Sequence, residues 1–406
     1  MSKSFHKISR KFHLWLSLIF CIPLIIVSAS GSVLVYAERI DEALLKDKVF
    51  RTQESVAKFP VRMKFSALQS EIKSKFKEYA IMDWSIAQDS LKTDKIRLSS
   101  QKLQKRIIIY LDAFSGEIKS APMPRDEGFI GAINKLHAEL FLGRGGRIFT
   151  GIVGLSALLI GISGFFIYKK FWQNLFSLRL DRAIYFMRGI HRLIGVASTP
   201  VMFAIAISGA WWELRAVTYK PLANPCGAVL QNFKTEQNAT IAAALNATAT
   251  SGTKIVLNAK TVPSVAGSIN TTATRIKTAQ NLATLDEALA RIAVKFKEFR
   301  STYIAFPLCP GGAFTVYGFE AGQNPLQSPY ASRITISDAG EILKADFIND
   351  ADFSDKLQDG FRRAHAGSYG AITKLIWFLA GLAPLFLSIC GFYITLKNRN
   401  SKRRKL

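Results

Sequence analysis

The sequence predicts an α-helical membrane protein, a four-helix transmembrane bundle with two extracytoplasmic α+β domains. Three observations predict it. Uncharged apolar runs occupy residues 14–36, 148–168, 193–212 and 375–396, each long enough to cross a hydrocarbon core about 30 Å thick. The short segments on one side of these runs are strongly basic. The long segments on the other side mix amphipathic helical spacing with β-rich stretches.

In chain order, residues 1–36 read as a cytoplasmic N-terminus and first span, and 37–146 as the first extracytoplasmic domain. Residues 147–168 are the second span, 169–192 a basic cytoplasmic loop and 193–213 the third span. Residues 214–370 form the second extracytoplasmic domain, 371–396 the fourth span and 397–406 a basic cytoplasmic tail. The three short segments hold 16 Lys and Arg against the single acid Asp181, more than half of the chain's net charge of +25. By the positive-inside rule that side is the cytoplasm, and the protein is expected in a bacterial inner membrane with both termini inside. Because the charge flanks the spans, anionic membrane lipid is its expected partner; no nucleic acid is expected.

The first run has a basic start and small residues at Ser28, Ala29, Ser30 and Gly31, as a secretory signal would, but its apolar core is too long, which predicts an uncleaved anchor. Pro23, Pro200 and Pro384 lie within spans, where kinks are expected. Cys21 and Cys390 read as small packing residues within the membrane. Cys226 and Cys309 share an oxidising compartment, so either a disulfide or two free thiols fits.

The chain reads as a duplication. Each span carries a small-Gly pair toward its C-terminal end, Ser30-Gly31, Ser163-Gly164, Ser208-Gly209 and Cys390-Gly391, which reads as helix packing. His13 precedes Gly31 by the same 18 residues that separate His191 from Gly209, and His137 and His365 precede the second and fourth spans. In the first domain residues 65–80 predict a helix and 106–111 a strand, with a turn at Ser115-Gly116. In the second, residues 285–296 predict a helix, 313–317 and 333–337 strands, and Ala339-Gly340 a turn. Residues 223–268, rich in Ala, Asn, Thr and Ser, read as a polar insertion.

The signature Tyr110-Leu-Asp-x-x-Ser-Gly116-Glu-Ile, echoed by Ile336-Ser-Asp-Ala-Gly340-Glu-Ile, resembles the end of a PepSY domain. The segments RKFHLWLSL, KLHAELFLGRGGRIFTGIVGLSALLIGISGFFIY, RGIHRLIGVAS and RRAHAGSYGAITKLIWFLAG resemble the four spans of PepSY-associated transmembrane proteins. The resemblance covers nearly the whole chain. It implies two PepSY-like domains and a link to iron uptake, with some members similar to haem-containing siderophore reductases.

Four of the five histidines stand at span ends, and the sequence predicts two pairs. His13 and His191 lie at the inner ends of the first and third spans; His137 and His365 lie just outside the second and fourth. Paired imidazoles from facing helices are how a bundle holds haem iron, so two haem b groups are expected, one inner and one outer, with these four as iron ligands. Arg10 and Arg188 each precede an inner histidine by three residues, on the same helical face, and are candidate partners for haem propionates. The glycine-rich stretches 143–146 and 367–370 predict helix breaks before the second and fourth spans.

No covalent catalytic residue is expected, because the cofactor would carry the redox step. The short inner segments cannot hold a dinucleotide-binding domain, so the electrons must come from a separate cytoplasmic reductase or a membrane quinol. Following the family, the acceptor is a periplasmic ferric siderophore or related iron chelate. The competing expectation is a non-enzymatic accessory protein whose PepSY-like domains bind a peptide, a protease or a transporter. A permease is disfavoured by four spans without intramembrane charge.

Overall fold

The computed structural model describes residues 3–403 except 101, 125–127, 168–174, 219–280, 308–311 and 338. Cys226, Cys309 and the whole of the predicted insertion 223–268 lie outside the described residues.

Four helices are long and apolar enough to cross a membrane: α1 (Lys3–Val35), α7 (Gly143–Ile167), α8 (Ala183–Thr218) and α11 (Ala371–Arg403). All but α7 run well past the apolar stretches that predicted them. Hydropathy marks only the lipid-crossing core, whereas Lys, Arg and Glu are good helix formers and carry the helices on beyond it. Pro23, Pro200 and Pro384 sit inside α1, α8 and α11. The spans form a ring in which α1 and α8 each touch α7 and α11. Small residues set the close seams: a Cβ on Gly161 would meet Phe203 at 2.5 Å, and one on Gly381 would meet Ser32 at 2.7 Å.

Between α1 and α7 the chain forms α2 (Ala37–Leu44), α3 (Lys46–Val49), α4 (Gln53–Lys58), α5 (Phe65–Lys75), strands β1 (Ala80–Ser85), β2 (Asp94–Ser100), β3 (Lys105–Leu111) and β4 (Met123–Pro124), then α6 (Phe129–Glu139). Between α8 and α11 it forms α9 (Asn281–Lys295), β5 (Arg300–Ala305), β6 (Phe314–Phe319), β7 (Ser332–Ile336), β8 (Ile342–Asp346) and α10 (Phe353–Ala366). Both predicted helices and all three predicted strands are present, but the first helix, expected over 65–80, ends at Lys75, and Ala80 opens β1. The predicted turns are present too, with Gly116 and Gly340 each at φ +78°, a conformation that favours glycine.

The two α+β units are joined. One antiparallel sheet runs β4-β3-β2-β1-β5-β6-β7-β8, with each unit a helix followed by a four-stranded meander and the two meanders paired edge to edge through β1 and β5. Pairing removes the exposed edge that each unit alone would present. Strand alternation gives the sheet two faces. On one, Trp84, Ile96, Leu98, Ile109, Ile304 and Val316 pack with Leu68 and Ile72 of α5 and Leu285 and Ile292 of α9. The other face presents Lys95, Arg97, Tyr110, Tyr303 and Tyr317 toward α2, α6 and α10.

Both helix breaks are present. The second is at residues 367–370 as predicted; the first is at 140–142, just before the glycine-rich stretch 143–146, which is the first turn of the span. Their cause is visible. α6 ends on Leu140, with φ 48°, and α7 begins at Gly143, so the helix that carries His137 is separate from the span that follows it. Gly146 lets the two come together: a Cβ there would lie 1.7 Å from the Glu139 carbonyl oxygen. At the equivalent place α10 ends on Gly367, with φ 64°, where a Cβ would lie 2.4 Å from the Trp377 ring.

Candidate functional site

Each of the four histidines rests on a glycine of a neighbouring helix. A Cβ on Gly164 would lie 3.7 Å from His13, one on Gly391 3.6 Å from His191, one on Gly31 2.7 Å from His137 and one on Gly209 2.8 Å from His365. These are the glycines of the small-Gly pairs. Their role extends beyond helix packing, for they form the seats of the imidazoles. The outer seats are tighter than the inner ones.

The rest of each seat repeats as well. His13 Nδ1 lies 3.1 Å from the Ile160 carbonyl and 2.9 Å from Ser163 Oγ. His137 Nδ1 lies 2.9 Å from the Val27 carbonyl and 3.4 Å from Ser30 Oγ. His365 Nδ1 lies 3.1 Å from the Ile205 carbonyl and 3.2 Å from Ser208 Oγ. In every case the carbonyl is four residues before the glycine and the hydroxyl one residue before it. A carbonyl only accepts, so Nδ1 carries the proton and Nε2 is left with its lone pair. At the fourth seat Cys390 replaces the serine. His191 stands beside the Leu387 carbonyl, the equivalent group, without reaching full hydrogen-bond geometry, and its buried Nδ1 has no partner.

The seats bring the histidines together as two pairs, as their positions in the sequence predicted. The His13 and His191 ring centroids are 6.4 Å apart and those of His137 and His365 6.0 Å. Two imidazoles that each hold one metal ion at about 2 Å, on opposite sides, have centroids about 6 Å apart. Both pairs therefore have a spacing at which two imidazoles could share one metal ion. Among the described residues no three His, Cys, Asp or Glu side chains converge as a metal site would require. Each pair offers two nitrogen ligands, which suits an iron whose other positions are filled by a macrocycle.

Burial, and for His137 the charge of His365, pushes both outer imidazoles below their ordinary pKa, so they are neutral lone-pair donors at neutral pH. Their helices are fixed from both sides. Arg147 of α7 bonds Glu139, two residues after His137, at 2.6 Å and reaches Glu213 of α8 at 3.4 Å. Arg363, two residues before His365, donates to the Gln327 carbonyl at 2.8 Å and to the Ser368 carbonyl. Trp377 donates to the Ala364 carbonyl at 2.6 Å.

The two arginines expected beside the inner pair are placed differently from each other. Arg188 donates to Asn398 of α11 at 2.7 Å, tying the third span to the fourth, and Arg10 is exposed.

The PepSY-associated transmembrane region model matches residues 10–398 of this chain. The chain belongs to that family. The matched residues take in all four spans and both halves of the sheet. Over 83 residues it is also 32% identical to an uncharacterized protein of Pseudomonas aeruginosa, a match covering 20% of this chain and 21% of that protein. The membrane-protein reading and the expected membership of the PepSY-associated transmembrane family both hold.

Proposed function

We propose that this PepSY-associated membrane protein is a transmembrane electron carrier. Its two histidine pairs each hold one haem b, and it delivers electrons singly to a periplasmic ferric siderophore or similar iron chelate. The observation that carries the reading is the pair geometry: centroid separations of 6.4 and 6.0 Å, with the seats of His13, His137 and His365 protonating Nδ1 and leaving Nε2 to bind metal. When bound, the two haems would supply one-electron redox centres near opposite faces of the membrane. His13 and Gly31 lie 18 residues apart on one helix, about 27 Å along its axis, so one pair alone cannot serve both faces.

The protein's own groups set the conditions for that chemistry. At His13, His137 and His365 the seat carbonyls accept from Nδ1, fix the tautomer and ring orientation, and make Nε2 a stronger donor to metal. The electron donor is a cytoplasmic reductase or a membrane quinol, and each electron converts one Fe(III) of the chelate to Fe(II), which hard oxygen ligands hold less tightly.

The test is the visible spectrum of the purified protein, made with sufficient haem and recorded with and without dithionite. The reading expects a Soret band and sharpened reduced b-type peaks. A featureless spectrum would overturn it and favour the accessory-protein alternative.

A further inference from the structure

We propose that the cavity of about 740 Å³ between the sheet and the outer histidine helices is the acceptor site, and that it is built for an anionic, aromatic iron chelate of catecholate or phenolate type. The inference rests on the electron-carrier reading for what the site is for, but not for what it binds.

Position is the first argument. One wall is the non-core face of the sheet and another is α2. The far wall includes Asn134 of α6 and Arg362 of α10. These stand three residues before His137 and His365, one helical turn and about 4.5 Å along each axis. A ligand in the cavity therefore lies against both helices that carry the outer pair. The volume falls within the usual range for small-molecule sites, roughly 300–1,000 Å³.

Chemistry is the second. The charged lining is Lys95, Arg97 and Arg362 against Asp41. Arg97 is already bonded to Asp83 at 2.7 Å and to the Tyr303 hydroxyl at 2.8 Å. Lys95 and Arg362 have no carboxylate at ion-pair distance among the described residues; they lie over rings, Lys95 over Tyr110 and Arg362 over Trp212 and Tyr330. Cations held on aromatic faces keep their charge available to an anion.

The remaining wall is aromatic. Tyr303 sits edge-on to Tyr317 at 5.7 Å and to Tyr330 at 5.5 Å, with Tyr110 nearby on β3. Such rings receive a planar aromatic ligand by offset or edge contacts, while their hydroxyls hydrogen-bond its oxygens. Burial pushes the Tyr110 and Tyr303 phenols up to about 12. They stay protonated and do not compete as phenolates for the ligand's iron. A cationic or wholly aliphatic chelate finds no counterpart for either property.

Gallium(III) complexes separate binding from reduction, because Ga(III) takes the place of Fe(III) without being reduced. The full-length protein is titrated calorimetrically with trianionic gallium tris(catecholate) and with uncharged, ring-free gallium tris(acetohydroxamate). The proposal expects the catecholate complex to bind at least about tenfold more tightly. It also expects Lys95→Gln to weaken that binding by about threefold or more and Asp41→Asn to strengthen it. Opposite shifts from two neutralising changes on one cavity cannot come from misfolding. Equal affinity for the two complexes, or shifts that are absent or of the same sign, would overturn the proposal. A protein without a Soret band that still shows the opposed shifts would sink the electron-carrier reading and leave this site standing. Haem without the shifts would do the reverse.

Discussion

A glycine and the residue before it decide whether each imidazole has a seat, and the four seats are not equal. At Gly31 and Gly209 an added Cβ would enter the space of the histidine ring, at 2.7 and 2.8 Å, whereas at Gly164 and Gly391 it would make ordinary contact at 3.7 and 3.6 Å. Gly31→Ala is therefore expected to displace His137 and remove the outer centre, about half of the bound haem by pyridine haemochrome assay, while Gly164→Ala leaves the content unchanged. Equal effects from the two changes would refute the seats. Cys390 makes a second residue-scale prediction. Restoring serine there gives His191 Nδ1 the hydroxyl that the other three histidines have. A more basic imidazole stabilises the oxidised iron, so Cys390→Ser should lower the inner centre's potential by on the order of tens of millivolts in a redox titration. These pairs were visible in the sequence but read as packing, because the contact that gives them meaning joins residues more than 100 positions apart, as His137 and Gly31 are.

At the scale of elements, α5, α9, β3, β6 and β7 were legible because each shows a clean period of apolar residues. β1, β2 and β5 were not. β2 does alternate, with Ile96 and Leu98 in the core and Lys95 and Arg97 opposite, but its polar face reads as loop until a cavity is known to lie there. β1 and β5 acquire their central position only through each other. The clasp around α4 was equally hidden. Asp112, at the end of β3, pairs with Arg51 at 3.0 Å, both side chains almost wholly buried, and accepts from the Ser55 hydroxyl and, at 2.9 Å, from the Phe114 N–H. Burial alone would push the Asp112 carboxyl up, but the bonds from Ser55, Phe114 and Arg51 outweigh it and hold the group below its ordinary value. A carboxyl lowered by folding lends stability above its unfolded pKa of 3.8, and that stability is lost as pH falls through the folded value. Asp112→Ala strands a buried guanidinium and should cost about 3–5 kcal/mol at pH 7, with the deficit shrinking below about pH 4. Thermal unfolding of wild type and variant across pH reads this directly; a deficit that does not vary with pH would contradict it.

In the whole molecule, the duplication predicted from histidine and glycine spacing becomes a division of labour. Each half seats its own two histidines: His13 on Gly164 and His137 on Gly31 in the first, His191 on Gly391 and His365 on Gly209 in the second. Each pair then takes one histidine from each half. The ring of spans and the continuous sheet keep the halves in register, and the cavity proposed for the chelate draws on both, with Lys95 and Tyr110 from one and Tyr317 and Arg362 from the other. The four spans and the histidine pairing could be read from hydropathy and spacing. The fused sheet and the cavity depend on strand partners that no local pattern specifies.

The central claim is that the two pairs are two separate haem sites, and haem stoichiometry in the intact protein and its single variants tests it most directly. The account predicts two haems per chain. One should be lost in His13→Ala or His191→Ala and the other in His137→Ala or His365→Ala, with the surviving centre keeping its own spectrum and potential. No haem in the wild type, or loss of both from a single substitution in a protein that remains folded, would contradict it.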